Sequence, residues 1–264
     1  QMNLRYLFFL PLIVLLVGCD NVAPDRRWID VSPATVRRNV LIEEFTGQAC
    51  LNCPQAAKEI SALQKIYTAD RLVAVSIHAG SLSLFPSSKV RGLRTTLGDS
   101  YYQRWGIGAL PHALINRRGS TSIRDKWGGY VYEEIQQETP LRLSLSCQYH
   151  ADTRTVDIQT QLKALSTEVK GRLQLWLVED SVEAIQQLPH NEGDRHYLHR
   201  HVLRAAINGD WGQETTLEKE TLATQKHQYV LTTDCVPHHA WIVAFVYNAS
   251  GVLQVERCRV TSAP

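Results

Sequence analysis

The chain has 264 residues, 44% hydrophobic and 20% charged, an ordinary globular balance with length for one or two domains that each bury a core. A net charge of +2, with no long basic run and no interleaving of aromatic and basic residues, gives no basis for a nucleic-acid partner, and none is expected.

In chain order, Arg5 is followed by an apolar stretch from Tyr6 to Val17, interrupted by Pro11, with Met2 read as the start and Gln1 as an addition. The stretch is shorter than the roughly 20 apolar residues a bilayer span needs, and has the length of a signal-peptide core. It closes on Leu16-Val17-Gly18-Cys19. Residues 20–38, polar and carrying Pro24 and Pro33, read as a tether. Val40 to Phe45 is a strand, broken by Thr46-Gly47-Gln48-Ala49, and Cys50-Leu51-Asn52-Cys53 follows. Ala56, Ile60, Leu63 and Tyr67 then recur at helical spacing, and Leu72 to Ile77 is the next strand. A helix is predicted around Lys89 to Trp105, a strand in Leu110-Pro111-His112-Ala113-Leu114-Ile115, and a short strand at Thr121 to Arg124. A last helix, Gly128 to Glu138, stops before Pro140. The order β-α-β-α-β-β-α is an α/β layout over a mostly buried sheet.

Past Pro140 the pattern changes to period two. Leu141 to Ser146, Val156 to Leu162, Leu173 to Leu177, Tyr229 to Thr232, Trp241 to Tyr247 and Val252 to Val260 read as strands, the last two joined by a turn at Asn248-Ala249-Ser250-Gly251. The series predicts a β-sandwich, immunoglobulin-like in type. An insertion at about 182–213, rich in His, Asn and Gly, fits neither strand nor helix cleanly. The predicted segments are thus 1–18, 19–38, 39–139 and 140–264.

A CxxC between a buried strand and an amphipathic helix has a physical use. The helix N-terminus stabilises a thiolate, so Cys50 is the expected nucleophile and Cys53, about one turn on, the resolving thiol. Half of a zinc site is the competing meaning, and the absence of a second CxxC or Cys/His knuckle counts against it. A permanently oxidised structural clip is the other alternative. The two cases differ in exposure: exchange requires an accessible Cys50, and burial of both cysteines would leave only a scaffold. Cys147, Cys235 and Cys258 are an odd set, so at most one disulfide joins two of them. His196, His199 and His201 suggest a metal, but Arg195, Arg200 and Arg204 crowd them with positive charge, and neither metal nor cofactor is expected.

Two resemblances add to this reading. Leu16-Val17-Gly18-Cys19 is similar to the lipobox of bacterial lipoproteins, which implies lipidation at Cys19 and a membrane anchor. From Val40 to Thr139 the chain resembles the thioredoxin-like superfamily, through Cys50 and Cys53, Glu44 ahead of them, and Ala109-Leu110-Pro111 before a strand. That resemblance implies that Glu44 assists proton transfer to Cys53 and that Pro111 is a cis-proline against the pair. Ala49, and Leu51-Asn52 between the cysteines, depart from the usual Trp and Gly-Pro of thioredoxins. The lipobox, Phe45-Thr46-Gly47 before Cys-x-x-Cys-Pro, His201-Val202-Leu203-Arg204-Ala205-Ala206 and Trp211-Gly212 together resemble the twenty-eight-kilodalton outer membrane protein family of Gram-negative anaerobes. The combination implies an outer-membrane, lipid-anchored protein facing the periplasm or the cell surface. Its expected activity is thiol-disulfide exchange on exported proteins, with an outer-membrane protein as a further partner. A non-catalytic binding protein or adhesin with a structural CxxC disulfide is the alternative.

Overall fold

The computed structural model describes residues 36–261, so the lipobox, Cys19 and most of the tether lie outside the described residues. Strand β1 (Val40–Thr46) is buried at all its positions, the pattern of a strand covered on both faces. Helix α1 (Cys53–Tyr67) carries the chain over to β2 (Leu72–His78), which lies parallel to β1 with Val40 opposite Leu72. Helix α2 (Thr96–Arg104) begins later than the sequence predicts: Lys89 to Thr95 stay in a loop, and the Thr95 hydroxyl accepts from the Gly98 N–H to cap the helix. Strand β3 (His112–Ile115) runs antiparallel to β1, β4 (Gly119–Thr121) pairs with β3, and α3 (Trp127–Ile135) follows. The element order is the one read from the sequence.

Helices α1 and α3 bury Ala56, Ile60, Leu63, Trp127 and Val131 against Val40, Ile42 and Ala74 on one face of these strands. The opposite face, with Leu41, Phe45 and Val75, packs on Trp176, Phe245 and Val255 from the second half of the chain. That second half contributes β5 (Leu141–His150), β6 (Thr155–Ala164), β7 (Val169–Glu179), β8 (Val182–Gln187), β9 (Gly193–His199), β10 (Val202–Ala206), β11 (Gln213–Leu217), β12 (Leu222–Val230), β13 (Ala240–Asn248) and β14 (Gly251–Arg259).

Strands from both halves share one nine-stranded sheet in the order β14-β13-β7-β10-β2-β1-β3-β4, with β11 alongside β7. The junction is narrow. Val202 pairs with Ser76, and the Ser76 N–H donates to the His201 carbonyl at 2.7 Å. The sheet curls until β14 meets the first strands again: the Asn39 N–H donates to Gln254 and the Val252 N–H to the Asn116 carbonyl, both at 2.8 Å. A second sheet, β12-β6-β5, covers the far face of β7 and β13, burying Leu143, Ile158 and Leu162 against Leu175, Leu177 and Ile242. A sheet therefore does pack on a sheet past Pro140, while the larger of the two continues through residue 139 into the first half.

The insertion at 182–213 is more regular than its composition suggests. β8 and β9 form a separate hairpin and β10 enters the large sheet. Polar residues such as Gln186 and His199 in β8 and β9 are buried there, which hides the two-residue alternation that marks a half-buried strand.

Candidate functional site around the CxxC disulfide

The chain leaves β1 at Thr46 and turns back on itself, the Cys50 N–H donating to the Gly47 carbonyl at 3.0 Å. A Cβ on Gly47 would lie 2.5 Å from the Leu82 carbonyl oxygen, so only glycine lets the loop after β2 cross so closely. Cys50 and Cys53 form a disulfide with Cα atoms 5.5 Å apart. Cys53 opens α1 and Pro54 occupies the first turn, where no intrahelical donor is lost.

The expectation of an exposed Cys50 is not met, because Cys50 and Cys53 are each 3% exposed. Two segments distant in sequence cover them. From the loop after β2, the Leu82 carbonyl accepts the Ala49 N–H at 2.8 Å. From the β8–β9 hairpin, the Gln187 N–H donates to the Gln48 carbonyl at 2.7 Å and the Gln186 amide to the Cys50 carbonyl at 3.0 Å. Buried Gln48 ties the two covers together, accepting from the Leu93 N–H at 2.8 Å and donating to the carbonyls of Arg91 and Ile185 at 3.1 and 3.2 Å.

Glu44 is buried on β1, as an assisting acid would have to be. Its Oε2 accepts from the Ser76 hydroxyl at 2.9 Å and its Oε1 has no partner. Burial pushes its carboxyl up to about 7, against the opposing hydrogen bonds of Ser76 and Thr46. Glu44, Cys53, Ser76, His78, Tyr197 and His199 line a common cleft of about 370 Å³. Pro111 follows a cis peptide bond from Leu110. Since His112 pairs with Phe45, Pro111 sits level with the end of β1, where the motif loop departs. The structure thus gathers Glu44, Cys50, Cys53 and Pro111 at one end of the first four strands.

No motif in the sequence marks His78. Its Nε2 lies 3.3 Å from the His199 Nδ1, and the rings meet edge to face with centroids 5.1 Å apart. Burial lowers the pKa of both rings, that of His199 to about 4, and the other ring nitrogen of each, His78 Nδ1 and His199 Nε2, is unpartnered. The three histidines of the run 196–201 separate: His196 meets Glu183 at 2.8 Å, His201 meets Asp180 at 3.0 Å, and His199 meets His78. Among the described residues no cluster of three or more His, Cys, Asp or Glu could hold a metal.

Of the remaining cysteines, Cys147 on β5 pairs with Cys258 on β14, with Cα atoms 6.3 Å apart. Cys235 is free and buried, and burial, with the Glu179 carboxylate adding to it, pushes its thiol up to about 12. No helix among the described residues is long and apolar enough to cross a membrane.

The fold is shared with solved structures at low identity. HBP35 of Porphyromonas gingivalis is similar at 16% identity and a TM-score of 0.68, with 86% of this chain and 76% of that one covered. Protein AGR_C_4864 from Agrobacterium tumefaciens is similar at 15% identity and a TM-score of 0.52, over 88% of this chain and 98% of that one. A domain of the outer membrane lipoprotein Omp28 from Porphyromonas gingivalis aligns at 23% identity over 46% of this chain and 88% of that one, with a TM-score of 0.28. No curated protein matches the chain. The family described as outer membrane protein Omp28 matches residues 98–263, from α2 through β14, which is more than half of the sequence and begins after the CxxC. The chain belongs to the Omp28 family of outer membrane proteins.

Proposed function

We propose that this chain is a lipid-anchored binding protein of the outer membrane, in which the Cys50–Cys53 disulfide is a structural clip. The anchor is Cys19, within the lipobox Leu16-Val17-Gly18-Cys19. The scaffold is a thioredoxin-like domain over residues 39–139 and a sandwich-like domain over residues 140–264, facing the periplasm or the cell surface. The observation that carries the clip reading is burial: both cysteines are 3% exposed beneath a hydrogen-bonded hairpin and loop. A sulfur that attacks or is attacked needs a path to its partner.

One observation favours thiol-disulfide exchange as a second reading. A clip has no use for a carboxyl held near pH 7 in the same cleft as Cys53, whereas a resolving thiol needs a proton acceptor. In that reading the β8–β9 hairpin first swings away. The Cys50 thiolate attacks a disulfide of an exported protein and expels one partner thiolate. Cys53, its proton passing to Glu44, then attacks the Cys50 sulfur. The second partner thiolate leaves, the Cys50–Cys53 disulfide closes, and two electrons have moved to the partner. An electron donor has to reduce the pair again.

Trapping separates the two readings. Cys53→Ala, expressed as the full chain under oxidising growth, should accumulate no mixed disulfides with exported proteins. Capture that is lost in the Cys50→Ala variant would replace the clip by the exchange reading. The reduction potential of the pair is an independent measure, since a structural disulfide lies below about −300 mV.

A further inference from the structure

A second cleft, of about 1200 Å³, lies away from the disulfide between the α2–β3 segment and the strands β7, β11 and β13. Its chemistry is distinct. Arg117 is 2% exposed at its side chain and forks onto the fully buried Glu43 at 2.8 and 2.9 Å. Its guanidinium lies over aromatic faces, 4.4 Å from the Tyr247 ring centroid and 5.2 Å from that of Trp105. One Arg117 Nη and the Trp105 Nε1 are buried donors without an acceptor in the protein, and both residues line the cleft. A guanidinium cannot shed its proton, so such a donor stands as a cost until an acceptor arrives.

The rim repeats the sign. Arg104, Lys170 and Arg172 line the cleft; Arg172 is engaged with its one acidic lining residue, Glu214, at 2.9 Å, Lys170 with Glu168 beside the cleft at 3.0 Å, and Arg104 stands exposed. Trp105, Trp211 and Tyr247 supply half-buried aromatic walls. Those walls are fixed: the Tyr247 hydroxyl donates to the Trp211 carbonyl at 2.7 Å, and the Trp211 ring meets Tyr101 edge to face at 5.0 Å. Thr215 and Thr216 also line the cleft, Thr216 exposed.

We propose that this cleft binds an acidic oligosaccharide, a short chain of uronate-type sugars. Each element of the ligand has a counterpart. Carboxylates meet the basic rim and the orphaned donors. The C–H faces of pyranose rings, slightly positive, lie on the negative faces of the indoles and the phenol. Sugar hydroxyls meet the exposed Thr216. The cleft exceeds the roughly 300–1,000 Å³ that encloses a drug-sized molecule, which suits a chain of rings over one ring. The proposal gives a ligand to the binding role argued above but rests on other residues, so mixed-disulfide capture would overturn that role's clip and leave this site standing.

The test is titration of the full chain with tri-galacturonate, read by tryptophan fluorescence and calorimetry, beside its uncharged methyl ester and a tri-glutamate peptide. Saturable binding of tri-galacturonate is expected, at least tenfold tighter than either comparator and weakened by added salt. Arg104→Glu combined with Lys170→Glu changes two exposed side chains and should reduce affinity tenfold or more with unchanged circular dichroism. Trp211→Ala should reduce it by a similar factor. Equal binding of the methyl ester, equal or tighter binding of tri-glutamate, or no binding of tri-galacturonate would each overturn the proposal, as would full affinity in the Arg104→Glu, Lys170→Glu protein.

Discussion

Glu43 and Glu44 are neighbours on one strand, both buried, and the protein treats them in opposite ways. Successive side chains of a strand face opposite sides of the sheet, so the two carboxyls enter different environments. Glu43 faces the aromatic side and is held by the Nε and one Nη of Arg117, with Tyr247, Phe245 and Trp105 packed about the pair. Glu44 faces the side of α1 and has only the Ser76 and Thr46 hydroxyls, so burial raises its pKa to about 7. The two sites differ in whether a cation shares them, and Glu44, without one, is pushed up by burial.

The largest effect should come from breaking the Glu43 side. Arg117→Ala strands a carboxylate in the core and should cost about 3–5 kcal/mol in denaturant unfolding, as loss of one partner of a buried pair does. A loss below about 1 kcal/mol would show that Glu43 is not relying on that cation.

Glu44 gives the next effect, visible against pH. Its folded pKa lies above the unfolded value, so its contribution is fully present below about pH 4.5 and is lost as pH rises through about 7. Two and a half units correspond to on the order of 3 kcal/mol across that window. Glu44→Gln should remove this fall, and an unchanged stability-pH curve between pH 4.5 and 7 would sink the assignment.

The histidine pair has the opposite sign. Its rings have lowered pKa values, so the stability they carry is present above about pH 6.5 and is lost as pH falls through about 4. In the Glu44→Gln background, the protection factors of the β8 and β9 amides should fall as pH drops through about 4, and His199→Phe should suppress that fall. Protection factors in the Glu44→Gln protein that do not change with pH would refute it.

The smallest effect concerns the cover. Gln186→Ala removes the amide that reaches the Cys50 carbonyl and should cost about 1 kcal/mol. Reduction of the Cys50–Cys53 pair by dithiothreitol should quicken severalfold. An unchanged rate would mean that the hairpin does not limit access.

What could be read in advance divides along sequence distance. The β-α-β-α-β-β-α order was legible because each element carries its own period and breakers: the all-apolar start of β1, the helical spacing from Ala56 to Tyr67, Pro140 after α3. Cysteine parity foretold at most one disulfide among Cys147, Cys235 and Cys258, and Cys235 is the one of the three left free. The cover over the disulfide was not legible, because Gln186 and Cys50 stand 136 residues apart and nothing local to either announces the other. The same holds for His78 and His199, separated by 121 residues. The junction of Val202 with Ser76 was equally hidden, since a single paired residue leaves no periodic trace.

The position of β1 has a mechanical consequence. Beyond residues 37–39, which are tied to Glu138, Gln137 and Gln254, a pull on the N-terminal side of this protein reaches β1, an interior strand laddered to β2 on one side and to β3 on the other. A pull along that strand loads the hydrogen bonds of both ladders together, in shear. An edge strand peeled from one end would break its bonds one after another and yield at lower force.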